Sequence, residues 1–285
     1  MTDITNLLVS TEWLESHLSD TDLCVIDVSI VVDPPVDGRV TFRPGRDEYT
    51  QSHIPGAVFL DLKDDLSAAH PQLVFMLPDR DAIAAGMAAC GVNPSSRVVL
   101  YNRGPSWWAT RLWFMLEYIG FENASVLDGG FDAWVAEGRA TEQGWVTPAQ
   151  GALRAARGPE NFVNKTDVAA ALDVAEIALL NALSEEQHRG EVNPYGRPGH
   201  IPGSDNLPAV TVLDEKGLFK SAAVLGEMLP QSAGVRIHYC GGGISASLTA
   251  FAERLAGHDG VKIYDGSLSE WARDPNAPLS VEKES

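Results

Sequence analysis

The sequence His-Ile-Pro-Gly occurs twice in this chain, at residues 53–56 and 200–203. Other segments repeat in step with it. An apolar, strand-like segment ends at Tyr101 in the first half and at Tyr239 in the second, 138 positions later. The dipeptides Asp128-Gly129 and Asp265-Gly266, 137 positions apart, are each followed by a tryptophan six residues after the aspartate. A period of this size corresponds to a whole domain and not to a solenoid repeat. The chain is therefore predicted to contain one domain copied twice.

Helix and strand signals alternate along each copy. The predicted strands lie at 23–28, 57–60, 177–182 and 207–210, with two more that end at Tyr101 and Tyr239. The predicted helices include segments at 10–14, 83–90, 166–169 and 222–229. Such alternation indicates the α/β class, with two tandem domains that each contain a mainly parallel sheet flanked by helices.

The repeats also place the domain boundaries. We assign residues 1–140 to the first domain, 141–165 to a linker and 166–285 to the second domain. The segment between the copies is rich in glycine, proline, alanine and glutamine, which is typical of a connection that runs over the surface.

Composition and charge exclude several classes of partner. Apolar residues make up 45% of the chain and charged residues 21%, as in ordinary globular proteins. The formal charge of −18 repels phosphate backbones and anionic lipid headgroups, so we expect neither nucleic acid nor a membrane surface as a partner. Residues 1–6 lack the basic region of a targeting signal, and no apolar segment is long enough to span a bilayer. A cytoplasmic monomer is the expectation.

The three cysteines, Cys24, Cys90 and Cys240, are too few for a disulfide framework and show none of the paired spacings of zinc sites. We expect free thiols in a reducing compartment, with no metal and no organic cofactor. Cys24 lies inside an apolar strand and Cys90 ends an alanine-rich helix, so both are interpreted as packing residues.

Cys240 alone combines a strand end, a run of glycines and a helix start. The loop continues with Gly241, Gly242, Gly243, Ile244 and Ser245. Unpaired N–H groups and the dipole at a helix start stabilise an anion, which for a cysteine is its thiolate. Glycines without a Cβ atom let successive amides curl around one centre. We therefore expect Cys240 to be a nucleophile; the alternative is a buried packing cysteine.

Taken together, these motifs resemble those of two-domain sulfurtransferases of the rhodanese fold, and more closely those of the 3-mercaptopyruvate sulfurtransferase branch. The resemblance spans nearly the whole chain and is carried by segments 49–57, 109–113, 127–131, 264–267 and the loop 240–245. In that family the first domain has lost its cysteine, which matches Asn102 at the position of Cys240.

The resemblance implies two tandem rhodanese-like domains, of which the second is catalytic. It implies that the Cys240 thiolate attacks the outer sulfur of a small donor, either 3-mercaptopyruvate-like or thiosulfate-like. The sulfur would then be held as a persulfide cradled by residues 241–245 and passed to a thiophilic acceptor such as cyanide, a thiol or a redox protein. The loop is similar to that of mercaptopyruvate enzymes, because thiosulfate enzymes carry basic residues directly after the cysteine.

The chain departs from the family pattern at positions that bind the donor. The serine that often stands two places after the cysteine is Gly242 here. Two family arginines that bind the donor carboxylate are replaced by Leu183 and Gln187, which cannot form a charged bidentate pair. Arg189 and Arg197 are candidate substitutes, with a solvated surface arginine as the alternative for each.

His53 and Trp107 are further candidates for donor binding from the first domain. For the histidine, the alternative is a ring that packs at the Pro-Gly turn and bonds to the backbone. For the tryptophan, core packing explains an aromatic residue in this crowded segment almost as well.

Two other functions compete with sulfur transfer. A sulfur carrier or binding module with little donor turnover is the first, and the missing arginines favour it. A phosphatase-like relative is the second, but its loop needs an arginine six positions after the cysteine, and that position is Ala246.

Overall fold

The computed structural model describes residues 7–36, 39–230 and 234–281. These residues fall into two compact units. Unit 1 comprises those within Met1–Ala68, Leu77–Pro159 and Glu215–Leu218, and unit 2 those within Ala69–Met76, Glu160–Asp214 and Phe219–Ser285. Residues 1–6, to which the prediction on targeting refers, lie outside the described part.

Unit 1 is built on one parallel sheet. Its strands and hairpin are β1 (Leu8–Val9), β2 (Leu23–Asp27), β3 (Ile30–Val36), β4 (Arg39–Pro44), β5 (Val58–Phe59), β6 (Arg97–Tyr101) and β7 (Ala124–Leu127). Its helices are α1 (Thr11–His17), α2 (Arg46–Gln51), α3 (Arg80–Ala89), α4 (Trp107–Tyr118) and α5 (Gly130–Ala136). The parallel sheet has the order β1-β7-β6-β2-β5, and β3 and β4 pair separately as an antiparallel hairpin. The sequence analysis did not predict that hairpin.

Unit 2 repeats the arrangement. Its strands are β8 (Phe162–Val163), β9 (Ile177–Asn181), β10 (Ser204–Asn206), β11 (Val235–Tyr239) and β12 (Val261–Tyr264). Its helices are α6 (Lys165–Ala171), α7 (Glu185–Arg189), α8 (Ala222–Met228), α9 (Ser245–Leu255) and α10 (Ser267–Trp271). The sheet is parallel with the order β10-β9-β11-β12-β8, which is the unit 1 order read from its other edge. The predicted duplication and α/β class are confirmed.

One predicted strand is wrong. The sequence analysis placed it at 207–210, but β10 covers Ser204–Asn206 and a 3₁₀ helix follows at Ala209–Val212. Pro208 has no N–H group to donate to a neighbouring strand. Its carbonyl instead accepts the Thr211 N–H over 2.9 Å, which closes the turn of the 3₁₀ helix.

The repeated tyrosine holds the repeated His-Ile-Pro-Gly turn. In unit 1, the Ile54 N–H donates to the Tyr101 hydroxyl oxygen over 3.3 Å. In unit 2, the Ile201 N–H donates to the Tyr239 hydroxyl oxygen over 3.1 Å. A buried N–H group without an acceptor destabilises the fold. The tyrosine and the His-Ile-Pro-Gly turn therefore recur together, because the tyrosine hydroxyl accepts the isoleucine N–H of the turn.

The repeated tryptophan holds the segment that follows the last helix of each unit. The Trp134 indole donates to the Ala140 carbonyl, and the Trp271 indole to the Pro278 carbonyl, each over 2.8 Å. These segments then return to the turns, where isolated antiparallel bridges join His53 to Glu142 and His200 to Ser280.

Residues 148–158 lie along unit 1. The N–H groups of Gly151 and Ala156 donate to the Ala88 and Ile119 carbonyls over 2.8 and 2.9 Å. A Cβ atom on Gly151 would lie 2.2 Å from the Val92 carbonyl oxygen, so glycine permits this close approach. The compact units divide at residue 159, inside the segment that the sequence analysis assigns to a linker.

Unit 2 contains a buried ionic network between β11 and α9. The His238 ring nitrogens lie 2.6 Å from Glu253 Oε2 and 2.9 Å from Thr249 Oγ1. Arg236 donates to the other Glu253 oxygen. Burial favours the neutral acid, but His238 and then Arg236 outweigh it and hold the pKa of Glu253 below its ordinary value. The network therefore contains a buried carboxylate whose charge is balanced from β11.

Unit 1 has apolar residues where unit 2 has this network. Positions 98, 100 and 115, which lie 138 residues before 236, 238 and 253, are Val98, Leu100 and Met115. All three are fully or almost fully buried. One fold thus accepts either an ionic or an apolar strand–helix contact at the same place.

The difference between the units predicts how unit 2 responds to substitution. Glu253→Ala should lower the free energy of unfolding by about 3–5 kcal/mol, because buried Arg236 and His238 lose their carboxylate. The triple change Arg236→Val, His238→Leu and Glu253→Met should cost far less, since it installs the apolar set of unit 1. Denaturant unfolding of the three proteins measures both effects. Equal losses in the single and triple variants would contradict the expectation.

Candidate active site

Cys240 lies at the carboxyl end of β11, the central strand of the unit 2 sheet. The loop that it opens leads directly into α9, whose first residue is Ser245. Ligand sites of parallel α/β sheets form at this edge, near helix N-termini. The residue is 2% exposed, so its side chain is almost fully buried.

The Ser267 hydroxyl fixes the shape of the loop. Its oxygen accepts the Cys240 N–H over 3.1 Å and the Gly243 N–H over 3.0 Å. Its proton is donated to the Tyr264 carbonyl over 2.8 Å. Ser267 is fully buried and has a positive φ of 48°, which is unusual for a residue other than glycine. The segment 264–267 belongs to the family motif, but the motif does not indicate this role of the hydroxyl.

The other amides of the loop are unpaired. Among the described residues, no protein acceptor binds the N–H groups of Gly241, Gly242, Ile244, Ser245 and Ala246. Gly243 has a φ of 73°, a backbone conformation that glycine adopts without strain. Open amides at the start of an eleven-residue helix are suited to binding an anion.

The matching loop of unit 1 is closed. Asn102 takes the place of the cysteine, and the amides after it have side-chain acceptors. The Arg103 N–H donates to Ser29 Oγ over 3.1 Å, and the Gly104 N–H donates to Asp132 Oδ2 over 3.0 Å. Unit 1 therefore lacks the thiol, and the first two amides of its loop have acceptors.

Cys24 and Cys90 have different surroundings from Cys240. The Cys24 thiol lies 3.7 Å from Ser96 Oγ, and burial raises its pKa. Burial also raises the pKa of Cys90 to about 12. Both thiols stay protonated at neutral pH and are weak nucleophiles, which agrees with their interpretation as packing residues. No group of metal-ligating side chains occurs in the part of the chain that the structure describes.

The positions of the family arginines carry no cation in this chain. Leu183 is buried and 8% exposed. Gln187 completes a capping box with Ser184 at the start of α7. Neither side chain can form a charged pair with a donor carboxylate, as the sequence analysis expected.

Arg189 and Arg197 are engaged elsewhere. The Arg189 guanidinium pairs with Glu191 and with Glu185 on the surface. The Arg197 guanidinium donates to the backbone carbonyls of Asp274 and Ala277 and so ties residues 274–277 to its own segment. These contacts do not favour either arginine as a ligand of the donor.

His53 and Trp107 lie in unit 1. His53 is fully buried, its ring stacks on Tyr49 with centroids 4.2 Å apart, and its Nδ1 lies 2.9 Å from the Tyr49 carbonyl oxygen. Trp107 is the half-buried first residue of α4, and its N–H donates to the Pro105 carbonyl. The histidine contacts are those of a packed turn residue.

Tyr195 contacts the cysteine loop and was missed by the sequence analysis. It precedes Gly196, which has a φ of 96°, in the irregular segment between α7 and β10. Its ring lies against the Cα side of Gly241. The sequence carries no periodic or motif signal for a residue placed in this way.

His188 and His200 form a stacked pair in unit 2. The ring centroids are 3.7 Å apart, and His188 Nδ1 lies 3.0 Å from Asn181 Nδ2. Burial, together with the charges of His200 and Arg189, lowers the pKa of His188 to about 4. At neutral pH the His188 ring is uncharged and accepts a hydrogen bond from Asn181.

The fold and the loop define a class of protein. The rhodanese-like domain family matches residues 10–137 and 164–274, and the chain belongs to the rhodanese family. The match covers both units, so the resemblance drawn from the sequence motifs is confirmed.

Relatives narrow the class to sulfurtransferases. A Pseudomonas aeruginosa protein named "Probable 3-mercaptopyruvate sulfurtransferase" is 33% identical over 299 residues, which cover 96% of this chain and 98% of that protein. Thiosulfate/3-mercaptopyruvate sulfurtransferase 2 of Arabidopsis thaliana is 31% identical over 300 residues, covering 95% and 86%. The crystal structure of SseA from Escherichia coli, one of the 3-mercaptopyruvate sulfotransferases, is 29% identical with a TM-score of 0.77 and covers 92% of this chain and 99% of SseA.

Removing the Ser267 hydroxyl should loosen the loop. Ser267→Ala leaves two buried N–H groups without an acceptor, and each such loss costs about 1–3 kcal/mol. We expect faster amide hydrogen exchange at Cys240 and Gly243 and a lower free energy of unfolding. Ser269→Ala, which removes a hydroxyl from the same helix, is the matched control and should change neither. Unchanged exchange in the Ser267 variant would contradict this account of the loop.

The stacked histidines make unit 2 sensitive to acid. The pKa of His188 is about 4 in the folded chain and 6.5 when unfolded, so between these values the unfolded state binds more protons. The free energy of unfolding should fall as the pH is lowered from about 6.5 to about 4. Above pH 6.5, His188 should cause no pH dependence. His188→Gln should flatten that part of the curve of melting temperature against pH. Parallel curves for the two proteins would exclude His188 as the source.

Proposed function

We propose that this chain is a sulfurtransferase that carries sulfur as a persulfide on Cys240. The observation that carries the proposal is a cysteine at the end of the central strand, followed by a loop at a helix start in which five amides have no acceptor among the described residues. A thiolate, and then a persulfide anion, is the charge that these amides would stabilise. The chemistry is assigned to the second domain, residues 166–285, while the first domain, residues 1–140, contributes no nucleophile.

The loading step transfers one sulfur atom to the enzyme. With a thiosulfate-like donor, the Cys240 thiolate attacks the outer sulfur, the donor S–S bond breaks, and sulfite leaves with the bonding electrons. With a 3-mercaptopyruvate-like donor, the C–S bond breaks and the enolate of pyruvate leaves, which then takes up a proton. In both cases the product on the enzyme is a persulfide at Cys240, cradled by residues 241–245.

The discharge step returns the enzyme to its starting state. A thiolate or cyanide acceptor attacks the outer sulfur of the persulfide, and the S–S bond breaks. The electrons of that bond remain on Cys240 as thiolate. The acceptor leaves as a persulfide or as thiocyanate. The two steps need no external oxidant or reductant, so no redox cofactor is required.

The relatives carry the names of both donor classes, and the loop sequence favours a mercaptopyruvate-like donor. The contacts of Arg189, Arg197 and His53 do not support them as donor ligands, and Trp107 stays a candidate. A donor held without a charged arginine pair would depend on the loop amides themselves.

A sulfur carrier with little donor turnover is the second candidate function. Leu183 and Gln187 in place of cationic residues favour it, because weak binding of the donor would slow loading but not discharge. A phosphatase is disfavoured since the buried Ala246 stands where its loop needs an arginine.

We infer a reducing compartment such as the cytoplasm from the free thiols of Cys24, Cys90 and Cys240. A monomer that meets small donors, and thiols or a redox protein as acceptors, is the simplest arrangement consistent with this chemistry. Among the described residues, no helix is long and apolar enough to cross a bilayer.

Mass spectrometry of the intact protein tests the proposal. Incubation with thiosulfate, a thiosulfonate or 3-mercaptopyruvate should add one sulfur atom, and cyanide or a thiol should remove it. Cys240→Ser should abolish the added mass, because serine forms no persulfide. Cys24→Ala and Cys90→Ala are matched controls that should load normally.

Each outcome separates the candidate functions. Slow loading by every small donor combined with fast discharge would favour the carrier. A protein that takes up sulfur from none of these donors, or one that loads at another cysteine, would reject sulfur transfer through Cys240.

A further inference from the structure

The phenol of Tyr195 approaches the cysteine loop more closely than any side chain at position 241 would permit. A Cβ atom on Gly241 would lie 2.2 Å from the Tyr195 hydroxyl oxygen and 2.7 Å from its Cζ. Such contacts do not occur in folded proteins, so only glycine leaves room for the ring. A turn places the tyrosine, since its N–H donates to Asn193 Oδ1 over 3.3 Å.

The Tyr195 hydroxyl differs from the other buried tyrosine hydroxyls. Those of Tyr49, Tyr101, Tyr239 and Tyr264 each form a hydrogen bond within their own unit. The hydroxyl of Tyr195 bonds to no residue in the described ranges 7–36, 39–230 and 234–281. A half-buried phenol usually has a partner, so this donor is available to a group that binds at the loop.

The chain neighbour of Gly241, which is Cys240, points to what that group is. Burial is the main cause that raises the pKa of Tyr195, and an ionised Cys240 is the second. The phenol lies beside Gly241, the residue that follows Cys240, and it remains a protonated donor at any physiological pH.

The family positions that carry a serine and two arginines supply no hydroxyl and no positive charge in this chain. Gly242 has no hydroxyl, and Leu183 and Gln187 carry no positive charge. Apart from the loop amides, Tyr195 is the polar side-chain contact that the structure shows at Gly241.

We propose that Tyr195 is a catalytic residue whose hydroxyl donates a hydrogen bond to the sulfur anion at Cys240. The bond is made to the sulfur that the donor delivers and that becomes the terminal sulfur of the persulfide. The proton stays on the phenol oxygen throughout, and Tyr195 forms no covalent bond. The inference rests on the proposed sulfur transfer and names a further residue of the same site. It also gives Gly241 a role, as the residue that admits the ring.

Tyr195→Phe tests the inference. The loading rate with thiosulfate and the discharge rate with cyanide are measured by mass spectrometry of quenched samples. Loss of a hydrogen bond to a charged group should lower the loading rate by about ten-fold or more. The ratio of wild-type to variant rates should stay constant from about pH 6 to about pH 9, because a phenol of raised pKa does not titrate there.

Tyr118→Phe is the matched control, since it removes a phenol hydroxyl from unit 1, where the ring packs under Arg80. It should load sulfur at the wild-type rate. The free energy of unfolding of both variants is measured in parallel, so that a general loss of folding is separated from a loss at the site.

Two results would overturn the role of Tyr195. Equal loading rates for Tyr195→Phe and wild type would do so while leaving the proposed function intact. A slow variant whose unfolding free energy has fallen with its rate would show a structural role instead. Failure of wild-type protein to load with any donor is a different result, and it would reject the sulfurtransferase itself.

Discussion

The site depends on one hydroxyl that serves two amides. Ser267 accepts the N–H groups at both ends of the segment from Cys240 to Gly243, and its own proton goes to the Tyr264 carbonyl. The loop is thereby tied to the end of β12, so its shape does not depend on a bound ligand. The amides of Gly241 and Gly242, which lie between these two contacts, have no acceptor among the described residues. A preorganised set of donors is what stabilises charge without reorganisation during a reaction.

Duplication supplies an internal comparison for this arrangement. The two sheets have the same strand order, and the same tyrosine, tryptophan and His-Ile-Pro-Gly contacts recur in both units. What differs is local. In unit 1 the first two amides after Asn102 are bound by Ser29 and Asp132, while in unit 2 the first two amides after Cys240 have no acceptor among the described residues. The fold alone therefore does not make a loop with open amides. Side chains that leave donors unoccupied do.

The duplication, the α/β class and the position of Cys240 between a strand and a helix could be predicted from the sequence, because each depends on local order along the chain. Turn residues, apolar periodicity and the glycines after the cysteine are visible without coordinates. The contact of Tyr195 with Gly241 joins positions 46 residues apart in an irregular segment, and no periodicity marks such a pair. The role of Ser267 depends on where its hydroxyl points, which its motif does not state. The strand at 207–210 failed because Pro208 overrides the apolar pattern around it.

The ionic contact between β11 and α9 constrains how the two copies could have diverged. An ancestral domain with the apolar set at this strand–helix contact could acquire the ionic set only through intermediate sequences, and the same holds in the reverse direction. An intermediate with Glu253 but without Arg236 and His238 would bury a lone carboxylate, at a cost comparable to much of the stability of a small domain. Gradual drift through single changes is therefore disfavoured. The carboxylate of Glu253 would have had to appear after a cationic partner on β11 was present. Alternatively, substitutions elsewhere would first have had to raise the free energy of unfolding enough to offset the cost.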